Sequence, residues 1–505
     1  MEEYDVIIVG GGLAGLRAGI LLEEAGKNIV IVEANDRVGG RTKGGMIGEV
    51  QYDIGGQWVG PTQDRMYSLL KHYSLKTLHQ FDDGLPYQHL RGKCFASRTK
   101  DIPGAIPLLQ LPLLGIAASY IDYLAKQVPV DAPWKAKRAQ EWDSYSIETW
   151  MRSSWWASTQ TVKGTVDIIS WAVLATEPSR VSFLWFLWFV HQAGGLMILL
   201  STHGGAQQDR IRGGAIQLSQ MMAKDLGDKV KLSSPVDKII QESDKCSVVL
   251  EDNTILTTKK IIIATSPVMA SRIKYEPPLP GTKDALMQGH IMGHVIKTIT
   301  FYSEPFWIEQ GFSGEGISDK DIRLTFDTSY PDKNIFGLVG FFLGDSALKW
   351  ADKTIEERKE AAISHFVSVF GEKALNPTGY IENNWVMEPY LRGAYMSIPP
   401  PNLLTTVGPA IREPIRNIHF AGTETSIQWS GYMEGALESA ERVTKEILDE
   451  SISKEDYQLN FFNPSRETRN NIVDRSAGNI FTWKRTLSTI MLIAGSYFIY
   501  TKYKN

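Results

Sequence analysis

The stretch that decides the fold is Asp5-Val6-Ile7-Ile8-Val9-Gly10-Gly11-Gly12-Leu13-Ala14-Gly15, with the apolar spacing of Leu16 to Ala25 and then Asn28-Ile29-Val30-Ile31-Val32-Glu33. Val6 to Val9 is a run of β-branched residues, the pattern of a strand buried on both faces. Leu16 to Ala25 repeats at helical spacing, and Asn28 to Glu33 is a second strand. Strand, glycine turn, helix and strand in that order open a parallel α/β sheet. The turn holds G-x-G-x-x-G: Gly10 permits the tight bend, Gly12 lets the backbone approach a pyrophosphate, and Gly15 allows close helix–strand packing. The phosphates would rest on N–H groups at the positive end of the helix. Glu33 ends the second strand 18 residues after Gly15. A carboxylate there accepts from ribose hydroxyls and repels a 2′-phosphate. The sequence thus predicts an adenine dinucleotide without a 2′-phosphate.

Working outward, the chain has 505 residues, about three domain-equivalents, and a net charge of −4. That balance argues against a nucleic-acid partner, whose mark is a basic excess. A hydrophobic content of 43% excludes wholesale disorder. Two cysteines, Cys94 and Cys246, exclude a disulfide scaffold, and nine scattered histidines give no metal site. The acidic start Met1-Glu2-Glu3-Tyr4 does not read as a secretory leader. Helices are expected around Ser144–Ser158 and Val166–Ala175, with an apolar run at Val181–Val190 and a Pro-broken one at Ile106–Leu114. Strands are expected at Lys229–Leu232, Cys246–Glu251, Lys260–Ala264, Val295–Tyr302 and Arg416–Ala421, and a helix at Gly435–Leu448. Residues 451–482 are polar and read as a linker. Thr486–Thr501 is uncharged, mostly apolar and flanked by Lys484, Arg485, Lys502 and Lys504. With Ile480, Phe481 and Trp483 it is long enough for a C-terminal membrane anchor, inserted after synthesis and leaving the bulk of the chain facing the cytosol.

Further glycine turns narrow the cofactor. Arg37-Val38-Gly39-Gly40-Arg41 directly follows the ribose carboxylate and suits contacts to phosphates and an isoalloxazine edge. Gly55-Gly56-Gln57-Trp58 is a second turn, Gly422-Thr423-Glu424 follows a strand, and Tyr432-Met433 opens a helix, another anion-ready terminus. A cofactor clasped by both ends of the chain is large and tightly held, which fits FAD better than an exchanging nicotinamide.

VIIVGGGLAGLRA, VEANDRVGGRT, DIGGQWVGPTQ, HVIKTITFYSEPFW and HFAGTETSIQWSGYMEGALESAERV together resemble the flavin monoamine oxidases of the animal mitochondrial type, over Tyr4 to about Leu448. The resemblance implies an α/β (α+β) architecture with a Rossmann-type FAD domain (residues 1–80, 210–290 and 391–450). It also implies a substrate domain on a mixed sheet (81–209 and 291–390), the linker, and a membrane helix at 483–505. It implies that Lys297 holds a water against the flavin, that Tyr395 and Tyr432 sandwich the amine, and that Trp385 lies beside the flavin ring. It places Gln207 near the reacting end of the substrate and Val236 against the adenine part. It implies as partners a small amine, dioxygen, a lipid bilayer (the mitochondrial outer membrane, by analogy) and a homodimer.

Two departures matter. The family's flavin-linking cysteine is replaced by Ala394, so FAD is expected to be held without a covalent bond. The resemblance places Leu200 and Leu324 at the family's cavity gate and Ile169, Ala172 and Val173 at the entrance, and none of the five is acidic. A second ammonium would be left unpaired among them, so monoamines carrying an aryl or alkyl group are expected over diamines and polyamines. Arg323 and Arg392 keep an amino acid substrate open, because an arginine would grip its carboxylate. The rival readings are a polyamine or L-amino acid oxidase on the same fold and a non-catalytic membrane flavoprotein.

Overall fold

The computed structural model describes residues 3–100, 103–154 and 160–449; the linker and anchor expected at 451–505 lie outside the described residues. The opening unit forms as the strand Glu3–Val9, the helix Leu13–Glu24 and the strand Ile29–Val32. The helix begins three residues earlier than its apolar spacing suggested, because Gly12 serves as its N-cap with extended backbone. Glu3–Val9 pairs in parallel with Ile29–Val32 on one side and with Ile255–Ile263 on the other. Ile418–Phe420 adds in parallel to Ile255–Ile263, while Cys246–Leu250 and Val236–Gln241 continue the sheet antiparallel. The register aligns Val9 with Val32 and Ile263, and Ile263 with Phe420. Four strands therefore end together, and the turns that follow them open on one crevice, the usual ligand position of such sheets.

A second sheet runs in the order Gly379–Asn384, Val295–Tyr302, Phe336–Leu343, Leu324–Asp327, Phe312–Ser318, Leu85–Leu90 and Lys93–Ala96. Val295–Tyr302 is buried at every position and lies between two antiparallel neighbours. Its one lysine, Lys297, is carried into the interior.

The apolar run at 181–190 is a helix, Phe183–Gln192, buried at every position but His191. A helix buried all round loses its amphipathic signature, and so its sequence did not say which element it was. Of the helix expected at Ser144–Ser158, residues 155–158 lie outside the described residues, Ile147–Ser153 is helical, and a shorter helix precedes it. Ala139–Ser144 stops at extended Tyr145, and Ile147–Ser153 restarts on a capping box between Ser146 and Thr149. The Pro-broken run at 106–114 leads into a helix, Leu111–Ala125, because Pro112 occupies its first turn, where the missing N–H costs nothing. Leu108–Ala125 has a mean hydropathy of 1.4 and is long and apolar enough to cross a membrane, with 28% of it buried.

Gly15 has no room for a side chain: a Cβ there would overlap the carbonyl oxygen of Gly10 and lie 3.3 Å from Ile8 Cγ2. Gly15→Ala is therefore expected to lower stability by about 1–3 kcal/mol in denaturant unfolding and to weaken dinucleotide binding. Wild-type stability and binding in that variant would refute the packing argument.

Candidate active site

The crevice is the upper end of a cavity of about 1680 Å³ that continues down to the second sheet. Single-ligand pockets run to about 1,000 Å³, so this volume admits a dinucleotide and a substrate together. The structure brings nearly all of the expected residues to its wall; Gly15, Arg37 and Glu424 lie one layer behind.

The upper end is built from backbone. Gly10 adopts φ 110°, and a Cβ on it would lie 2.9 Å from the carbonyl oxygen of Ala264. A Cβ on Gly12 would meet nothing within 4 Å, and no side chain caps the helix that follows. The first N–H groups of Leu13–Glu24 therefore face open space, which is the donor set a pyrophosphate needs. Glu33 is 6% exposed. Its Oε2 accepts from the Gly11 N–H at 2.6 Å, and its Oε1 from the Asn35 N–H and Nδ2, both at 2.8 Å. These bonds hold the carboxylate at the cavity wall with lone pairs to spare for ribose hydroxyls. The residues present thus fit an adenine dinucleotide.

Arg37 is turned toward its own loop. It does not line the cavity; its guanidinium donates to the carbonyls of Val38, Gly40 and Thr42 at 3.1–3.2 Å and shapes the loop that presents Gly39 and Gly40. Glu424 is likewise a support. It receives Arg41 Nη1 at 2.7 Å and Nη2 at 3.0 Å, together with the Ser397 N–H at 3.0 Å. Arg41 also donates to the carbonyl of Tyr395 at 3.0 Å. One bidentate pair therefore ties the loop after Glu33 to the segment that carries Tyr395.

At the lower end, Tyr395 and Tyr432 both line the cavity. Burial pushes both phenols above their ordinary pKa, so they stay neutral. Tyr432 is held edge-on by Trp429 at 4.9 Å and stacked on Phe189 at 6.4 Å. Thr423 Oγ1 fixes its backbone by donating to the Tyr432 carbonyl and accepting from the Gly431 N–H. Trp385 is 2% exposed and donates from Nε1 to the Ile54 carbonyl at 3.1 Å. Gln207 donates from Nε2 to the Leu199 carbonyl, which leaves its buried Oε1 unpaired. Lys297 is 2% exposed. Its Nζ donates to the Gly55 carbonyl at 2.9 Å and to Gln57 Oε1 at 2.5 Å. Burial pulls its pKa down, while buried Asp53 holds it up and Arg210 opposes.

Several wall residues carried no signal in the sequence. Asp167, Glu315 and Asp319 bring carboxylates to the same cavity as the five apolar residues. Arg323, kept open as a carboxylate clamp, is committed elsewhere. It pairs with Glu177 at 3.0 Å, lies 3.8 Å from the centre of the Trp171 ring, and does not line the cavity. Arg392 does line it.

The family described as flavin containing amine oxidoreductase matches residues 13–448. A probable flavin-containing monoamine oxidase A of Dictyostelium discoideum is 39% identical over 457 residues, 89% of this chain and 98% of that protein. The flavin-containing amine oxidase B of Homo sapiens is 37% identical over 452 residues, 88% of this chain and 86% of that protein. Among solved structures, cyclohexylamine oxidase from Brevibacterium oxydans matches with a TM-score of 0.84 and 31% identity, covering 89% of this chain and 99% of that one. Wild-type putrescine oxidase bound to putrescine matches with a TM-score of 0.84 and 28% identity, over the same shares of the two chains.

Burial pushes the Glu424 carboxyl up, but the Arg41 guanidinium and the Ser397 N–H outweigh burial and hold it below its ordinary 4.5. A carboxylate lowered by folding adds stability above the unfolded value and loses it as pH falls through the folded value. Between about pH 6 and pH 3 the wild type should therefore lose more thermal stability than Glu424→Gln. A gap in melting temperature that stays constant across that window would rule the clamp out.

Proposed function

The chain belongs to the flavin-containing amine oxidoreductases, and from that premise we infer that it is an FAD-dependent oxidase of monoamines bearing an aryl or alkyl group. The net reaction takes amine, dioxygen and water to aldehyde, ammonia and hydrogen peroxide. FAD, when bound, accepts a hydride equivalent from the amine α-carbon and passes it to dioxygen. Glycine turns, Glu33 and the free helix N-terminus would hold its dinucleotide part, and Trp385, Gln57 and Lys297 its ring.

The protein's own share is binding, orientation and water exclusion. Tyr395 and Tyr432 present neutral aromatic faces to an amine nitrogen, which favour a neutral or cationic nitrogen over a carboxylate. The unpaired Gln207 Oε1 accepts an amine N–H and fixes which hydrogen faces the ring. Ile169, Ala172, Val173, Leu200 and Leu324 take the apolar substituent and exclude water. Lys297 Nζ, with one N–H left after Gly55 and Gln57, holds a water or a proton beside the site of oxidation. The observation that carries this reading is the convergence of two neutral tyrosines and a buried lysine on one cavity with an uncapped helix N-terminus. A non-catalytic flavoprotein has no use for that convergence.

The carboxylates of Asp167, Glu315 and Asp319 favour a second reading, in which a longer substrate places a distal ammonium against them. FAD in either case is held without a thioether, since Ala394 lines the cavity where the family's linking cysteine would lie. The segment 483–505 anchors the protein in a bilayer, by analogy the mitochondrial outer membrane, as a homodimer facing the cytosol. Leu108 and Leu109, 60% and 95% exposed, add apolar surface to such a setting.

Peroxide release with benzylamine, tyramine, putrescine, spermine and leucine decides among the substrates. Turnover of the first two above the rest is expected. A preference for putrescine or spermine that Asp167→Asn or Glu315→Gln abolishes would establish the second reading instead. Tyr395→Leu and Tyr432→Leu should each lower kcat/KM about tenfold while the yellow colour is retained. On acid precipitation the colour should pass to the supernatant; a yellow pellet would disprove the non-covalent link. Truncation after residue 482 should release the protein from membranes, and persistent sedimentation with them would count against the anchor.

A further inference from the structure

The loop after Asp53 holds a buried amide whose two ends have different fates. Gln57 is 3% exposed and lines the cavity. Its Oε1 accepts from Lys297 Nζ at 2.5 Å. With Lys297 as the donor, the contact turns the carboxamide oxygen toward the lysine. The other end, Nε2, is buried and has no partner in the protein. An amide donor left unpaired out of water is costly, which a fold has reason to bear where a partner arrives later.

The lysine beside it is in a similar position. Two of the three Lys297 N–H groups go to Gly55 and Gln57, and the rings of Trp58 and Phe341 flank Nζ at 5.9 and 5.6 Å. The remaining N–H and the buried Gln57 Nε2 group are donors on two residues that line one cavity. Asp53 stands behind them with Oδ1 held by the Ala215 N–H at 2.8 Å, and Arg210 acts from the neighbouring strand Asp209–Ile211. Donors alone are a poor match for an amine that must itself be held through its N–H groups. They suit an acceptor that gains negative charge, because preorganised donors stabilise charge as it develops.

We propose that Gln57 is a cofactor-contacting residue whose free amide N–H, locked in direction by Lys297, donates to the acceptor edge of the bound isoalloxazine and favours its reduced state. The proposal rests on the flavin reading above and deepens it: Gln57 and Lys297 act as one donor pair, and the lysine serves partly to orient the amide.

Gln57→Glu in the full-length holoenzyme is the discriminating change. It keeps the shape and the oxygen facing Lys297 but replaces the free donor with an acceptor. Gln57→Leu removes both. Each variant is equilibrated anaerobically with a reference redox dye, and the ratio of reduced to oxidised flavin is read from its absorbance. The ratio is expected to fall about tenfold or more in Gln57→Glu, with the KM for the amine little changed. Gln57→Leu should fall in the same direction. If Gln57→Leu does not fold, Gln57→Glu decides alone. A Gln57→Glu ratio equal to that of the wild type would overturn the proposal while leaving amine oxidation intact. A colourless wild-type protein would overturn the flavin reading itself, so the two failures are distinguishable.

Discussion

The Arg41–Glu424 pair is the contact on which the site depends. It joins residues 383 positions apart through two bonds of 2.7 and 3.0 Å, with Glu424 almost wholly enclosed. A buried pair of this kind adds little net stability, because desolvation offsets most of the attraction; removing one partner alone is far more costly. Its value here is geometric. The same guanidinium holds the Tyr395 carbonyl, and the same carboxylate holds the Ser397 N–H. The loop that presents Gly39 and Gly40 and the segment that carries Tyr395 are thus placed by a single planar fork, whose bidentate form fixes angle as well as distance.

Around that clamp the two sheets divide the work. The larger one offers backbone: four strand ends in register, glycine turns without side chains, and a helix terminus with free N–H groups. Backbone suits a pyrophosphate, which presents the same oxygens whatever the rest of the ligand. The smaller sheet offers side chains. Lys297 reaches the cavity because its strand is buried on both faces, so a lysine on it has no route to water. The same burial pulls its pKa down and pushes Asp53 up. The pair settles its charge within the protein, where solvent cannot screen it.

Much of this was legible from residues 5–33. Period and glycine spacing report local geometry, and local geometry made the opening unit. The strand Val295–Tyr302 was also within reach from its own pattern, and the resemblance singled out Tyr395 and Tyr432, which line the cavity. Other features were not. The helix Leu111–Ala125 hid behind Pro112, and the helix Phe183–Gln192 hid because burial on all sides erases periodicity. That the Arg37 guanidinium turns back onto the carbonyls of Val38, Gly40 and Thr42 could not be read from its charge and place. Arg323 was open as a substrate clamp until Glu177 and Trp171 were found to claim it.

By itself the sequence determined which backbone segments could bend around a dinucleotide, because a missing Cβ is a property of one residue and needs no neighbour. It also determined that residue 394 carries no thiol. Only the tertiary structure decided which charged groups face the cavity and which are spent on holding it. Asp167, Glu315 and Asp319 come to the cavity wall, while Glu424 and Arg37 withdraw behind it. That outcome turns on pairings between residues tens to hundreds of positions apart, and an electrostatic partner across such a distance leaves no periodic trace along the chain.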